Sequence, residues 1–278
     1  MGFRAVTTAI AFAALCAAPA CLASPGSGTK AASSVDAALA ASVESPTRSP
    51  QNTARDIYRH PKESLSFWGV KPGMAILEIW PGGGYWTEIL APYAKATNGS
   101  YLAALASASQ TLPAKFSETA VYGSIATTMF NEKSPALAKP GSMSFVLLSR
   151  NLHDWMSTQG EPEKAMRDFY AALKPGGILA IEQHRADPRP MKPGASDGYM
   201  STAVVVKLAE GAGFKLAATS EINANPKDTK DHPFGVWTLP PTRRSAPNGQ
   251  PANPNFDHAK YDAIGESDRM TLKFVKPD

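Results

Sequence analysis

Near-continuous apolar runs alternate along the chain with segments whose apolar residues recur every three to four positions. Met74–Trp80 (MAILEIW) predicts a buried strand ending in Pro81-Gly82-Gly83-Gly84. In Tyr85–Lys95, the residues Trp86, Ile89, Leu90 and Tyr93 fall at helical spacing, and Pro92 is placed to kink or shorten that helix. Asn98-Gly99 marks a turn before a second strand, Tyr101–Leu105. Ser124–Met129 is a weaker third strand, and Met143–Ser149 (MSFVLLS) is the strongest of all. Glu161–Leu173 reads as a helix with Pro162 near its start, ended by Lys174-Pro175-Gly176-Gly177. The strand Ile178–Gln183, the helix Thr202–Ala212 and the strand Phe214–Ile222 follow. A long loop, 224–268, then leads to a last strand, Met270–Val275.

Strands alternating with helices, with the strands apolar throughout, predict an α/β fold. Its sheet is open and mainly parallel, with helices on both faces. No helix is predicted between the last two strands, so they are expected to pair antiparallel. Sheets of this kind bind ligands at the carboxyl ends of their strands, near the point where strand order reverses. That rule places residues 78–85, 107–110, 131, 149–155 and 183–185 on one rim.

Composition narrows the class. With 43% hydrophobic and 19% charged residues the chain is globular, and wholesale disorder is excluded. A net charge of +4 is too mild to argue for nucleic acid, and the pair Arg243-Arg244 lacks interleaved aromatics. The two cysteines, Cys16 and Cys21, both lie in the first 21 residues, which excludes a disulfide scaffold or a cysteine zinc site in the body of the chain. They mark a different feature. Arg4 precedes an apolar run, Ala5–Ala18, followed by small residues up to Ala23. This is the pattern of a secretory signal over residues 1–23, and it implies a periplasmic protein. Lipid anchoring through Cys21 is the alternative. The run is too short for an integral membrane span. Residues 24–50 are rich in Ser, Ala and Pro and contain no aromatic residue, which reads as a linker with a transient helix over Asp36–Val43. Residues 51–278 form the domain.

Three clusters carry candidate chemistry. Glu78 at a strand end, followed by Pro81, Gly82, Gly83, Gly84 and Tyr85, combines a carboxylate able to receive an ammonium group with a backbone that lets a ligand approach closely. The spacing is not G-x-G-x-x-G, which disfavours a dinucleotide. Arg150-Asn151-Leu152-His153-Asp154-Trp155 emerges from the strongest strand; His153 can exchange a proton near neutral pH, and Asp154 can orient it. Glu182-Gln183-His184-Arg185 ends the next strand, but with His153 and Asp154 it gives no metal-ligand spacing, so no metal is assigned. The segment Arg55–Pro61 reads as a lid or as a packing helix. Gly265-Glu266-Ser267-Asp268-Arg269 reads as turns and caps.

In these stretches, and in LLSRNLHDW, ALKPGGILAIEQHRA and ESDRMTLKFVKP, the chain resembles the class I S-adenosylmethionine-dependent methyltransferases. Within them it resembles a bacterial family of predicted, often exported members. The resemblance spans roughly Tyr58 to Pro277. It implies a Rossmann-like seven-stranded sheet with an antiparallel last strand. It further implies S-adenosylmethionine as cofactor, a small-molecule acceptor, and a cofactor site bordered by Glu78, Gly82 and Gly84. Two departures stand out. Trp80 replaces the first glycine of the general pattern, and the acid expected after the second strand is missing, leaving Ser107, Ser109 and Gln110 in its place. Asn131 or Glu132 is placed to meet the adenine, and Asn151 the cofactor cleft. These departures, with a donor made in the cytoplasm, support an alternative: a non-catalytic exported binding protein on a degenerate methyltransferase scaffold.

Overall fold

The computed structural model describes residues 1–3 and 37–278. Residues 4–36, which hold the leader from Arg4 onward, Cys21 and the first half of the expected linker, lie outside the described residues. Seven strands form one sheet: β1 Ala75–Ile79, β2 Ser100–Leu105, β3 Ala126–Met129, β4 Met143–Ser149, β5 Leu173–His184, β6 Lys215–Ser220 and β7 Arg269–Val275. Their order is β3-β2-β1-β4-β5-β7-β6. β1 to β5 run parallel, and β7 is antiparallel to both β5 and β6. The expected antiparallel pairing of the last strands is therefore present, and β7 also separates β6 from β5.

The pleat divides the core. Leu77, Ile79, Val146 and Leu148 point to one face, where they pack with Phe169, Val205 and Phe214. Ile76, Phe145 and Leu147 point to the other, against Leu65, Trp68, Trp86 and Ile89. The helices covering these faces are α1 Pro61–Trp68, α2 Thr87–Ala96, α3 Glu161–Ala172 and α4 Thr202–Gly211. α2 continues through Pro92, because its buried Ile89, Leu90 and Tyr93 hold it to the sheet on both sides of the proline. β5 starts five residues earlier than Ile178, since Leu173 pairs with Met143 across an irregularity and Lys174–Gly177 is taken into the strand. In the late loop, α5 Ala259–Ile264 forms.

The linker reading needs correction from residue 37 onward. Residues 37–43 are helical, and Leu39, 3% exposed, packs in the core cluster of Trp86 and Leu90. Arg48 makes a bidentate pair with Asp56 at 2.7 and 2.8 Å. With Ser49 N also donating to Glu88 Oε2 at 3.1 Å, these contacts hold a segment that lacks aromatics. Leu39→Ala is expected to cost about 2–4 kcal/mol, read by urea unfolding. A loss below about 0.5 kcal/mol is the outcome for an arm that does not contribute to the fold.

Candidate functional site

Strand order reverses between β1 and β4, and a cleft of about 190 Å³ opens there, at the carboxyl ends of both strands. Its floor is the β1–α2 turn. Gly82 has φ +58°, and a Cβ on either Gly82 or Gly83 would meet no atom within 4 Å, so this backbone is open to the cleft. Gly84 serves a different purpose. At φ +84°, its Cβ would lie 2.3 Å from the Phe116 ring, so this glycine is required by packing.

Two non-glycine residues flank the cleft in the left-handed region, Trp80 at φ 47° and Arg150 at φ 64°. Each such conformation costs about 1–2 kcal/mol and persists where neighbours fix it. Trp80 thus sits in a backbone conformation that glycine adopts most readily. Its N–H donates to Ala104 O at 2.8 Å, its indole Nε1 donates to Phe130 O at 2.9 Å, and its ring meets Trp155 edge-on at 5.2 Å. Asn151 Nδ2 donates to Ile79 O at 2.8 Å and Trp80 O at 3.3 Å, tying the β4 loop to the end of β1.

Glu78 lies on the α2 side of β1 and is 3% exposed. Thr87 Oγ1 donates to its Oε2 at 3.1 Å, and Tyr101 OH donates to the same oxygen. Burial outweighs these bonds and pushes the carboxyl up to about 7. The sign of the pH effect follows. The folded pKa lies above the unfolded one, so ionising Glu78 opposes folding. That penalty is absent below about pH 4.3 and grows up to about pH 7. Glu78→Gln removes it, so its stability relative to wild type should improve between pH 5 and 8.5 by on the order of 3 kcal/mol. Equal unfolding midpoints shifts at both pH values are the contrary outcome.

Above the glycine turn, the Arg55–Pro61 segment forms a wall of the site. Asn52 and Arg55 line the cleft. Tyr85 OH donates to Asp56 Oδ1 at 2.6 Å, and the Arg59 guanidinium lies 4.4 Å from the Tyr85 ring centroid. Arg59 is fully buried, and its Nη1 and Nη2 have no hydrogen-bond partner. Burial, with Arg150 close by, pulls it down to about 9. Its Nε donates to Glu266 Oε2 at 2.9 Å; Arg55 Nε reaches Glu266 Oε1 at 2.6 Å, and Arg269 Nη1 reaches Glu266 Oε2 at 3.0 Å. Arg269 Nη1 also reaches Glu182 Oε1 at 2.9 Å.

A second cleft of about 170 Å³ adjoins the first, and Arg150 lines both. His153, Asp154 and His184 line it together with Trp237, Pro240 and Pro241 from the late loop. Gln183 Nε2 lies 3.3 Å from Gly198 O and 3.0 Å from His153 Nδ1. With that amide donating to both, the imidazole proton sits on Nε2, 3.3 Å from Asp154 Oδ1. Burial keeps His153 below its ordinary pKa despite Asp154, and raises Asp154 despite His153. Both nitrogens of His153 are thus engaged, and of the pair the Asp154 carboxylate is the one exposed to solvent, with His153 behind it. His184 bonds Ser267 Oγ through Nδ1, and burial beside His153 holds it neutral.

Of the residues expected at the site, Glu78, Pro81, Gly82, Gly83, Tyr85 and Asn151 line the first cleft; His153 and Asp154 line the second. Gly84, Ser107 and Asn131 line neither, Gly84 because it faces the Phe116 ring. Ser107 Oγ pairs with Ser109 Oγ at 3.1 Å, and Asn131 Nδ2 donates to Ala106 O at 3.2 Å, closing the β2–β3 end of the rim. Sequence reasoning missed Asn52, Trp237, Glu266, Ser267 and Arg269 as site residues. Among the described residues no group of three His, Cys, Asp or Glu side chains is arranged for a metal ion, and no helix is long and apolar enough to cross a membrane.

No family model and no curated protein matches the chain. Solved structures do share its topology. The [4+2]-cyclase SpnF superposes with a TM-score of 0.52 at 14% identity, over 83% of each chain. Phosphoethanolamine N-methyltransferase 2 of Haemonchus contortus, in complex with S-adenosyl-L-methionine, gives 0.51 at 13% identity, over 80% of this chain and 53% of that one. A SAM-dependent methyltransferase from Aquifex aeolicus gives 0.48 at 18% identity, over 62% of this chain and 89% of that one. The strand order, with antiparallel β7 between β5 and β6, is that of the Rossmann-like methyltransferase fold. A scaffold shared by a cyclase and a methyltransferase leaves the chemistry to the site.

Proposed function

We propose that the protein is an S-adenosylmethionine-dependent methyltransferase acting on a small molecule. The observation that carries this reading is the first cleft: an open Gly82-Gly83 turn and a buried carboxylate on the floor, with a guanidinium on the wall, at the switch point of a sheet with this topology. The residues fit the amino-acid end of the cofactor. Arg55 and Asn52 would hold its carboxylate, Glu78 would face its ammonium group, and Gly82 and Gly83 would let the backbone come close. The ribose end has no charged partner, since Ser107 and Ser109 stand where an acid is expected. That absence forfeits about 1.5–3 kcal/mol of binding.

When bound, S-adenosylmethionine supplies an electrophilic methyl group. The chain's part is positioning and proton acceptance. Asn151 and the left-handed Trp80 and Arg150 fix the cleft walls, so a nucleophile in the second cleft is held close to the first. Asp154, its pKa raised and its orientation set by His153, takes a proton from that nucleophile. Export to the periplasm belongs to the same proposal. It rests on the leader pattern and requires donor outside the cytoplasm.

Incubating the full chain with S-adenosylmethionine and a panel of small acceptors, followed by mass spectrometry, should reveal S-adenosylhomocysteine and a methylated product. Turnover that is unchanged in Asp154→Asn would remove Asp154 from the chemistry.

A further inference from the structure

The wall between the two clefts is charged in a way the protein does not balance. Four guanidinium groups, Arg55, Arg59, Arg150 and Arg269, meet there with two carboxylates, Glu182 and Glu266. Glu266 is shared by three of the arginines, and Glu182 also accepts from Ser149 Oγ at 2.7 Å. Arg150 is left with the weakest partners. Its Nε lies 3.4 Å from Ser149 Oγ and 3.8 Å from Glu182 Oε2, and its Nη1 and Nη2 make no protein hydrogen bond among the described residues. Directly behind stands Arg59, fully buried with both Nη atoms unpartnered. A guanidinium presents a planar fork of donors suited to a carboxylate or phosphate, and leaving such donors unpaired in a low-dielectric wall is costly.

The two clefts divide these groups. Arg55 lines only the first, whereas Arg150 also lines the second. The rest of the second cleft is flat and apolar on one side: Trp237, Pro240 and Pro241, with Trp237 itself held between the Arg244 guanidinium at 4.8 Å and the His153 ring at 5.7 Å. His184 and Ser267 add neutral hydrogen-bonding groups, and Glu266, which also lines this cleft, is already engaged by Arg55, Arg59 and Arg269. Asp154 at the rim pairs with His153, not with an arginine.

We propose that the second cleft binds a small flat acid, its anionic group on the free fork of Arg150 and its body against Trp237 and the two prolines. Building on the proposed function, this compound is the methyl acceptor, and its charge offsets the surplus of guanidinium groups.

The test uses the full chain and fluorine NMR titrations with 4-fluorobenzoate and the neutral isostere 4-fluorobenzamide. The acid should bind at least about tenfold tighter than the amide, and Arg150→Gln should abolish that preference. Trp237→Ala should weaken both ligands. Saturating S-adenosylhomocysteine should leave the acid bound. Equal affinities, no acid binding at about 20 mM, or displacement by S-adenosylhomocysteine would overturn the proposal. If Arg150→Gln does not fold, the acid-to-amide ratio in wild type and in Trp237→Ala still decides. Calorimetry with S-adenosylmethionine on the same sample separates the two readings. Cofactor binding without acid preference defeats this inference alone; acid preference without cofactor binding defeats the methyltransferase reading and the acceptor role of the acid, while the acid site itself stands.

Discussion

Glu266→Ala is expected to destabilise the protein by about 3–5 kcal/mol, the range for removing one partner of a buried ion pair. The side chain is 5% exposed and accepts from Arg55, Arg59 and Arg269. Its loss leaves Arg59 with no anionic contact in a wall where two of its nitrogens already lack partners. Burial alone would raise the Glu266 carboxyl, but Arg59, Arg269 and Arg55 outweigh it and hold it far below the usual carboxylate range. Glu182 is also depressed, because Arg269, Arg150 and Arg59 outweigh its burial. For groups whose folded pKa is depressed, the stability is complete above the unfolded value, about 4.3, and is lost as pH falls toward the folded value. Wild type should therefore lose stability steeply below about pH 4.5, with a shallower loss in Glu266→Ala. Urea titrations at pH 7 and pH 3.5 measure both effects. A cost below about 1 kcal/mol at pH 7 would show that water already solvates the cluster.

The second large effect separates fold from site within one tripeptide. A Cβ on Gly83 would have no protein atom within 4 Å, Gly83 lines the first cleft, and its backbone does not require glycine. Gly83→Val should leave the unfolding midpoint within about 0.5 kcal/mol of wild type while weakening S-adenosylhomocysteine binding by about tenfold or more. Gly84→Ala should do the reverse: its methyl group collides with Phe116 at positive φ, for a cost of several kcal/mol, roughly 2–4. Binding lost equally in both, in step with stability, would mean that the turn is structural throughout.

Much of the fold was legible because its signals are local. β4 appears at the expected residues, buried at six of seven positions, since a short apolar run that follows Lys139-Pro140-Gly141 has the length of a strand and not of a helix. The glycine turn, Asn151, His153 and Asp154 were legible because each directly follows a strand whose carboxyl end forms the rim. What stayed hidden depends on distant contacts. Arg55 and Glu266 are 211 residues apart, and Arg59 and Glu266 are 207 apart, so no local pattern links them. A signal was nevertheless present. Antiparallel β7 must begin where β5 ends, which brings Glu266-Ser267-Asp268-Arg269 to the rim, although the residues themselves read as turn chemistry. Ser107 and Asn131 were expected in the cleft by resemblance, but the Trp80 indole reaches Phe130 O and Asn131 closes back on Ala106. The Ala-rich arm misled because its anchors, Leu39, Arg48 and Ser49, are scattered singly among small residues.

The central claim is that the first cleft holds the methyl donor, and calorimetric titration of the full chain with S-adenosylmethionine and S-adenosylhomocysteine tests it most directly. The expected result is one site per chain with Kd between roughly 10 μM and 1 mM, weakened about tenfold or more in Gly83→Val. No heat of binding for either compound at ligand concentrations of about 5 mM, or the same Kd in wild type and Gly83→Val, would contradict it.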